Sequence, residues 1–284
     1  MKETLYIFFI VGLFSSFVEV EGIDINDWRD YPACRLGRLQ SPIEIKETDS
    51  TYSNDFSFVY QNYNPSNYSI NISDISNYAF SSNNIQNGGY INFERGGVIK
   101  QYELIRFELY PGLHKIDGEY EDYELHIIHK KNLDFKTNKN QYRRIQDPNM
   151  YLVVVLRYKN NCTANENIKC SPDDQLLYKL TNGKEINLNH YSFIQDKRAY
   201  FYEGSFLHIP CDENVNYYIV KDFFYPLNVS EKDLEFSYSN ENIPLAHKFG
   251  RPIYKNFMNY KEVMNSKLVS YKILTLFLLI FIIL

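Results

Sequence analysis

Hydrophobic and polar positions along this chain fall mostly into short runs of the kind that form strands. The runs are Phe56–Gln61, Gly89–Glu94, Tyr102–Leu109, Tyr123–His129, Tyr151–Tyr158 and Tyr217–Lys221. From Glu124 onward, the residues of Tyr123–His129 switch faces at each step. Met150–Tyr158 is a β-branched apolar run broken only by Arg157, which predicts a central strand covered on both faces. Helical spacing is confined to Asp173–Leu180 and Ser230–Glu235. The pattern predicts a mainly β domain with short peripheral helices.

Both ends depart from this pattern. Lys2 is followed by an apolar run from Leu5 to Val18 and then by polar chain. That layout predicts a secretory signal peptide over residues 1–22, cleaved near Val20–Glu21–Gly22. Ile273–Leu284 is apolar throughout apart from one threonine, and Lys272 precedes it. It is shorter than the ~20 residues a spanning helix needs. With small residues upstream, it predicts a lipid-anchor attachment signal (GPI type) accepting at Asn265 or Ser266, with a membrane tail from Leu268 as the other reading. Either way the chain is expected to be membrane-anchored, on the extracellular face of the cell surface. Residues 23–258 then form one domain, and 259–284 a linker and hydrophobic tail.

An extracellular route changes how the remaining residues read. Four sequons, at Asn67, Asn71, Asn161 and Asn228, become glycosylation candidates. Cys34, Cys162, Cys170 and Cys211 allow three pairings, and two disulfides are expected in an oxidising compartment. The Asn- and Ser-rich stretch 62–82 reads as a mobile or glycan-bearing surface segment. His129–Arg144 carries Lys130, Lys131, Lys136, Lys139, Arg143 and Arg144. It reads as a solvated loop, or else as an anion patch able to hold sulfated glycans through charge-assisted hydrogen bonds. A net charge of −5 gives no reason to expect nucleic acid as a partner. The 26 Tyr and 20 Phe exceed core needs, which fits an interface or a compositional bias equally well.

Four segments in register resemble the α-class carbonic anhydrases. They are Cys34–Ile45 with its Gln-Ser-Pro-Ile, Tyr102–Tyr110, Gly118–His129 with Glu124-Leu-His126, and Tyr202–Cys211 followed by Asn214–Val220. Gly250-Arg-Pro252 is a weaker echo, and the likeness runs from about Trp28 to Asn256. The resemblance implies a large, mostly antiparallel twisted central sheet with a conical cleft. It also implies a disulfide between Cys34 and Cys211, leaving Cys162 to pair with Cys170.

That family hydrates carbon dioxide with hydroxide on a zinc held by three imidazoles. Carried onto this sequence, the ligand positions are Glu108, Tyr110 and His126, so two imidazoles are absent. Glu124 keeps the place of the outer partner of a ligand. The hydroxyl that would orient the hydroxide falls at Leu207, its glutamate partner at Leu113 beside a retained His114, and the proton shuttle at Gly89. His208 is expected nearby. The resemblance therefore implies a degenerate zinc site, no catalysis and no cofactor, and a cell-surface binding or adhesion module whose partner is an extracellular protein or sulfated glycan. The competing expectation is a zinc-dependent carbonic anhydrase with residual or altered activity. Glu108 would need a partner in such a cleft, and Arg106 is expected to point to the opposite face.

Overall fold

A computed structural model describes residues 34, 36–76, 79–135, 149–159, 170–172, 175–190, 197–208, 210–225, 245–259 and 262–263. The expected mainly β architecture is present as one twelve-stranded sheet. Its main path runs Thr51–Tyr52, Tyr254–Lys255, Ala199–Gly204, Val215–Tyr225, Tyr151–Tyr158, Tyr123–Lys131, Val98–Pro111, Ala79–Ser82, Ile70–Ser76. Phe56–Tyr63 joins through Gly89–Arg95, which pairs with Val98–Pro111. Most pairings are antiparallel, but the sheet is mixed. Tyr151–Tyr158 and Cys170–Pro172 both run parallel to Val215–Tyr225, and Thr51–Tyr52 runs parallel to Tyr254–Lys255.

The predicted central strand is central. Leu152, Val154, Leu156 and Tyr158 enter one apolar core, while Val153 and Val155 enter the core on the other face. A two-residue period with apolar groups at every step needs both faces covered, and this is how they are covered. All six expected strands form, several of them longer than the apolar runs alone suggest. The helix expected at Asp173–Leu180 spans Leu176–Thr181, burying Leu176, Leu177 and Leu180. Ser230–Glu235 lies outside the described residues.

Two local readings need correction. Stretch 62–82 is strand-forming, with Ser66–Asn67, Ile70–Ser76 and Ala79–Ser82. Tyr68, Ile70 and Phe80, thinly spaced among Asn and Ser, are buried in the larger core and hold it there. At the start of the basic stretch, His129 is fully buried. It continues the strand, its Nδ1–H reaches the Leu152 carbonyl (3.3 Å), and its Nε2 lies 2.9 Å from the Tyr63 hydroxyl. Burial lowers its pKa to about 4, so it is neutral near pH 7 and Nε2 accepts from Tyr63.

Candidate functional site

The site is built on Val98–Pro111 and its neighbour Tyr123–Lys131. Their register puts Glu108 opposite His126 and Tyr110 opposite Glu124, all four on one face. A bulge across from Ile128 and His129 leaves Ile105 as an extra residue. It inverts the alternation, so that Tyr102 and Leu104 enter the same core as Phe107 and Leu109. Beyond it, Arg106, Glu108 and Tyr110 follow at two-residue spacing on the site face.

The expectation for Arg106 is therefore overturned. Its Nη2 lies 2.6 Å from Glu108 Oε1 and 2.9 Å from His208 Nε2. Residues two apart on a strand share a face, so the partner that buried Glu108 requires stands on its own strand. The Tyr110 hydroxyl donates to the other oxygen, Oε2, at 2.8 Å. Burial alone would raise the Glu108 carboxyl, but Arg106, His208 and the Tyr110 hydrogen bond outweigh it, and the net shift is downward. Burial and the Glu108 charge push the Tyr110 phenol well above its usual range, so it stays protonated.

Beneath this row lies a second network. Glu124 Oε1 accepts the backbone N–H groups of Leu113 (3.1 Å) and His114 (2.7 Å). Its Oε2 accepts from His114 Nδ1 (2.7 Å) and His126 Nε2 (3.1 Å). His114 Nε2 lies 2.7 Å from the Tyr202 hydroxyl, which is 3.0 Å from Ser41 Oγ. Burial opposes the Glu124 charge, yet the two imidazoles hold its pKa far below the usual carboxylate range. For His126 burial wins and the shift is downward. The expected Cys34–Cys211 disulfide is formed, with Cα atoms 5.1 Å apart. It ties Gln40 and Ser41 to the loop of Leu207 and His208, with Gln40 Nε2 donating to the Cys211 carbonyl.

Can these residues hold zinc? At the family's three positions, Glu108 is neutralised by Arg106, Tyr110 remains a phenol, and His126 is the sole imidazole. At the positions the resemblance gives to the orienting hydroxyl and its glutamate, Leu207 and Leu113 pack with Tyr110 and Ala79 in a small apolar cluster. The donor set does not fit a hydratase zinc. Among the described residues, one other trio has ligand atoms within 4.8 Å of one another, namely His114, Glu124 and His126. These atoms already bond each other, and Glu124 accepts four hydrogen bonds in all, so the trio forms a closed hydrogen-bond network.

The other expected positions are placed as follows. His208 stacks on Phe206 at the rim of the site, with ring centroids 4.9 Å apart. Gly89 sits in a strand at φ +89°, where a Cβ would lie 2.3 Å from the Asn62 carbonyl oxygen and 2.4 Å from Tyr63 Cα. Lys130 is exposed and Lys131 half-buried, while Lys136, Lys139, Arg143 and Arg144 lie outside the described residues. So do Cys162, the Cys170 side chain, Asn161, Asn228, Asn265 and Ser266. Asn67 is exposed, as a glycan acceptor must be, and so is Asn71. Among the described residues, no helix is long and apolar enough to cross a membrane. Sequence reasoning missed Arg106 as the partner of Glu108 and Tyr202, itself bonded to Ser41, as the partner of His114. The two-residue spacing of Arg106 and Glu108 was the available signal for the first.

Comparison with known proteins agrees with this fold. A carbonic anhydrase of Nostoc sp. (strain PCC 7120) is 24% identical over 190 residues, covering 66% of this chain and 64% of that protein. Among solved structures, the α-carbonic anhydrase of Thermovibrio ammonificans with sulfanilamide superposes with a TM-score of 0.51 at 20% identity, over 81% of this chain and 94% of the other. Dioscorin complexed with ascorbate gives 0.55 at 18% identity, over 85% and 98%. The family model of eukaryotic-type carbonic anhydrases matches residues 24–269. The chain belongs to the eukaryotic-type carbonic anhydrase family.

Proposed function

We propose that this protein is a catalytically silent member of its family, held at the cell surface as an extracellular binding or adhesion module. The observation that carries the reading is the Arg106–Glu108–Tyr110 row. Two of the three ligand positions are joined to each other and to an arginine, and leucines close the space above. Glu108 cannot leave Arg106 without stranding a guanidinium, and Tyr110 would have to lose a proton that burial holds on it. Nothing in the row can generate or orient a hydroxide. The leader and apolar tail read in the sequence support a membrane-tethered, glycosylated form.

The partner is an extracellular protein or a sulfated glycan, the latter held by the basic stretch that begins at Lys130. Charge reversal at Lys130, Lys131, Arg143 and Arg144 is expected to abolish salt-sensitive binding to heparin or chondroitin sulfate; binding that survives refutes the patch. Catalysis is tested by stopped-flow carbon dioxide hydration with added zinc and a sulfonamide control. No sulfonamide-sensitive turnover is expected. Turnover would establish the second reading, a zinc-dependent carbonic anhydrase of altered activity, which the Nostoc relative's name and the retained Glu124–His126 pair favour.

A further inference from the structure

We propose that the sheet edge formed by Thr51–Tyr52 and Tyr254–Lys255 is a lipid-facing surface, which sets how the domain lies on the bilayer. This rests on the membrane tether proposed above and adds an orientation to it. Three of the exposed large apolar side chains belong to this edge and its approaches, Tyr52 (42% exposed), Phe249 (60%) and Met258 (40%). Tyr52 pairs in register with Lys255, and Met258 follows Lys255 by three residues. The Lys248–Asp49 ion pair (3.4 Å) ties the turn carrying Phe249 to the segment leading into Tyr52. Singly, exposed apolar residues mean little. Here they gather where the chain leaves the domain.

That exit is fixed. Asn259 Oδ1 accepts the Glu262 N–H (2.9 Å) and the Glu262 carboxylate accepts the Asn259 N–H (2.7 Å), a reciprocal cap that starts a helical turn. Lys255, itself fully buried, holds Glu262 at 3.0 Å and so ties the turn to the sheet. From Val263 to the apolar run at Ile273 is ten residues, about 15 Å if helical and at most about 35 Å extended. An apolar tail in a bilayer therefore keeps this edge close to the lipid headgroups. Tyr52, Phe249 and Met258 are the side chains placed to enter the interfacial layer, where aromatic and flexible apolar groups are favoured.

The test uses the full chain with its single tryptophan removed (Trp28→Phe) and one reporter added, at Phe249→Trp, Met258→Trp or, away from the edge, Leu133→Trp. The proteins are reconstituted into phosphatidylcholine vesicles carrying brominated acyl chains. Quenching about threefold stronger at 249 and 258 than at 133 is expected from shallow insertion of this edge. Equal quenching at all three sites, with the chain still floating with the vesicles, overturns the orientation and leaves the tether standing. Failure to float overturns both. Shielding of 249 and 258 in detergent without lipid, together with a doubled mass, assigns the edge to a second copy and also overturns the proposal.

Discussion

Two layers of one site differ in what holds them together. The lower layer, Ser41–Tyr202–His114–Glu124–His126, keeps the residues the family resemblance leads one to expect there. The upper layer, Arg106–Glu108–Tyr110 under Leu113 and Leu207, keeps none of the family's chemistry. The lower network satisfies backbone amides and buried imidazoles, and therefore stabilises the fold with or without a metal. The upper positions satisfy one another instead, with Glu108 taking Arg106 on one oxygen and Tyr110 on the other. The two layers are thus held together by different partners, backbone amides and imidazoles below and a charged pair with a phenol above.

The most severe way to break the comparison is to remove Glu124. Glu124→Ala strands two imidazoles and two backbone N–H groups, and is expected to lower unfolding free energy by about 3–5 kcal/mol in urea denaturation. Acid titration comes next. His129 has a folded pKa near 4 against an unfolded value of about 6.5, so the unfolded chain binds its proton first. Its contribution is complete above pH ~6.5 and falls by about 3 kcal/mol as pH drops to ~4. The depressed Glu124 and Glu108 carboxyls act lower: their stabilisation is present above the unfolded carboxylate value of ~4.3 and is lost as pH falls below it. A wild-type stability profile that is flat from pH 7 to 4 would contradict the burial of His129.

In the upper layer the effects should be smaller. Glu108→Ala leaves Arg106 only partly shielded from water, and about 2 kcal/mol is expected. Arg106→Leu together with Glu108→Leu should recover much of that loss, as replacing both partners of an ion pair often does. Tyr110→Phe removes one hydrogen bond at a cost of about 1 kcal/mol. If these losses equal that of Glu124→Ala, the division into a supporting layer and a rewritten layer fails.

Much of the fold was legible because the strands announce themselves. Leu152–Leu156 is apolar at every step, as a doubly covered strand requires, and the Cys34–Cys211 closure followed from the family pattern. What the sequence concealed was pairing at a distance. Nothing local in the basic stretch reveals that His129 meets Tyr63, 66 positions away. Stretch 62–82 hid its strands because so few of its residues are apolar, although those few are buried. Arg106 is a different case: two-residue alternation from Glu108 puts it on the site face, and only the bulge at Ile105 breaks that alternation further back along the strand.

The crowding at Gly89 has a consequence for redesign. A side chain there meets the backbone of Asn62 and Tyr63 rather than a movable tip, so a histidine is not accommodated until the neighbouring strand shifts. A histidine at 108 alone would leave Arg106 without its counterion, and one at 110 alone would deprive Glu108 of a donor. A three-imidazole site is thus reachable only through concerted changes: any one of these substitutions made alone costs stability, so the present side chains form an interlocked set.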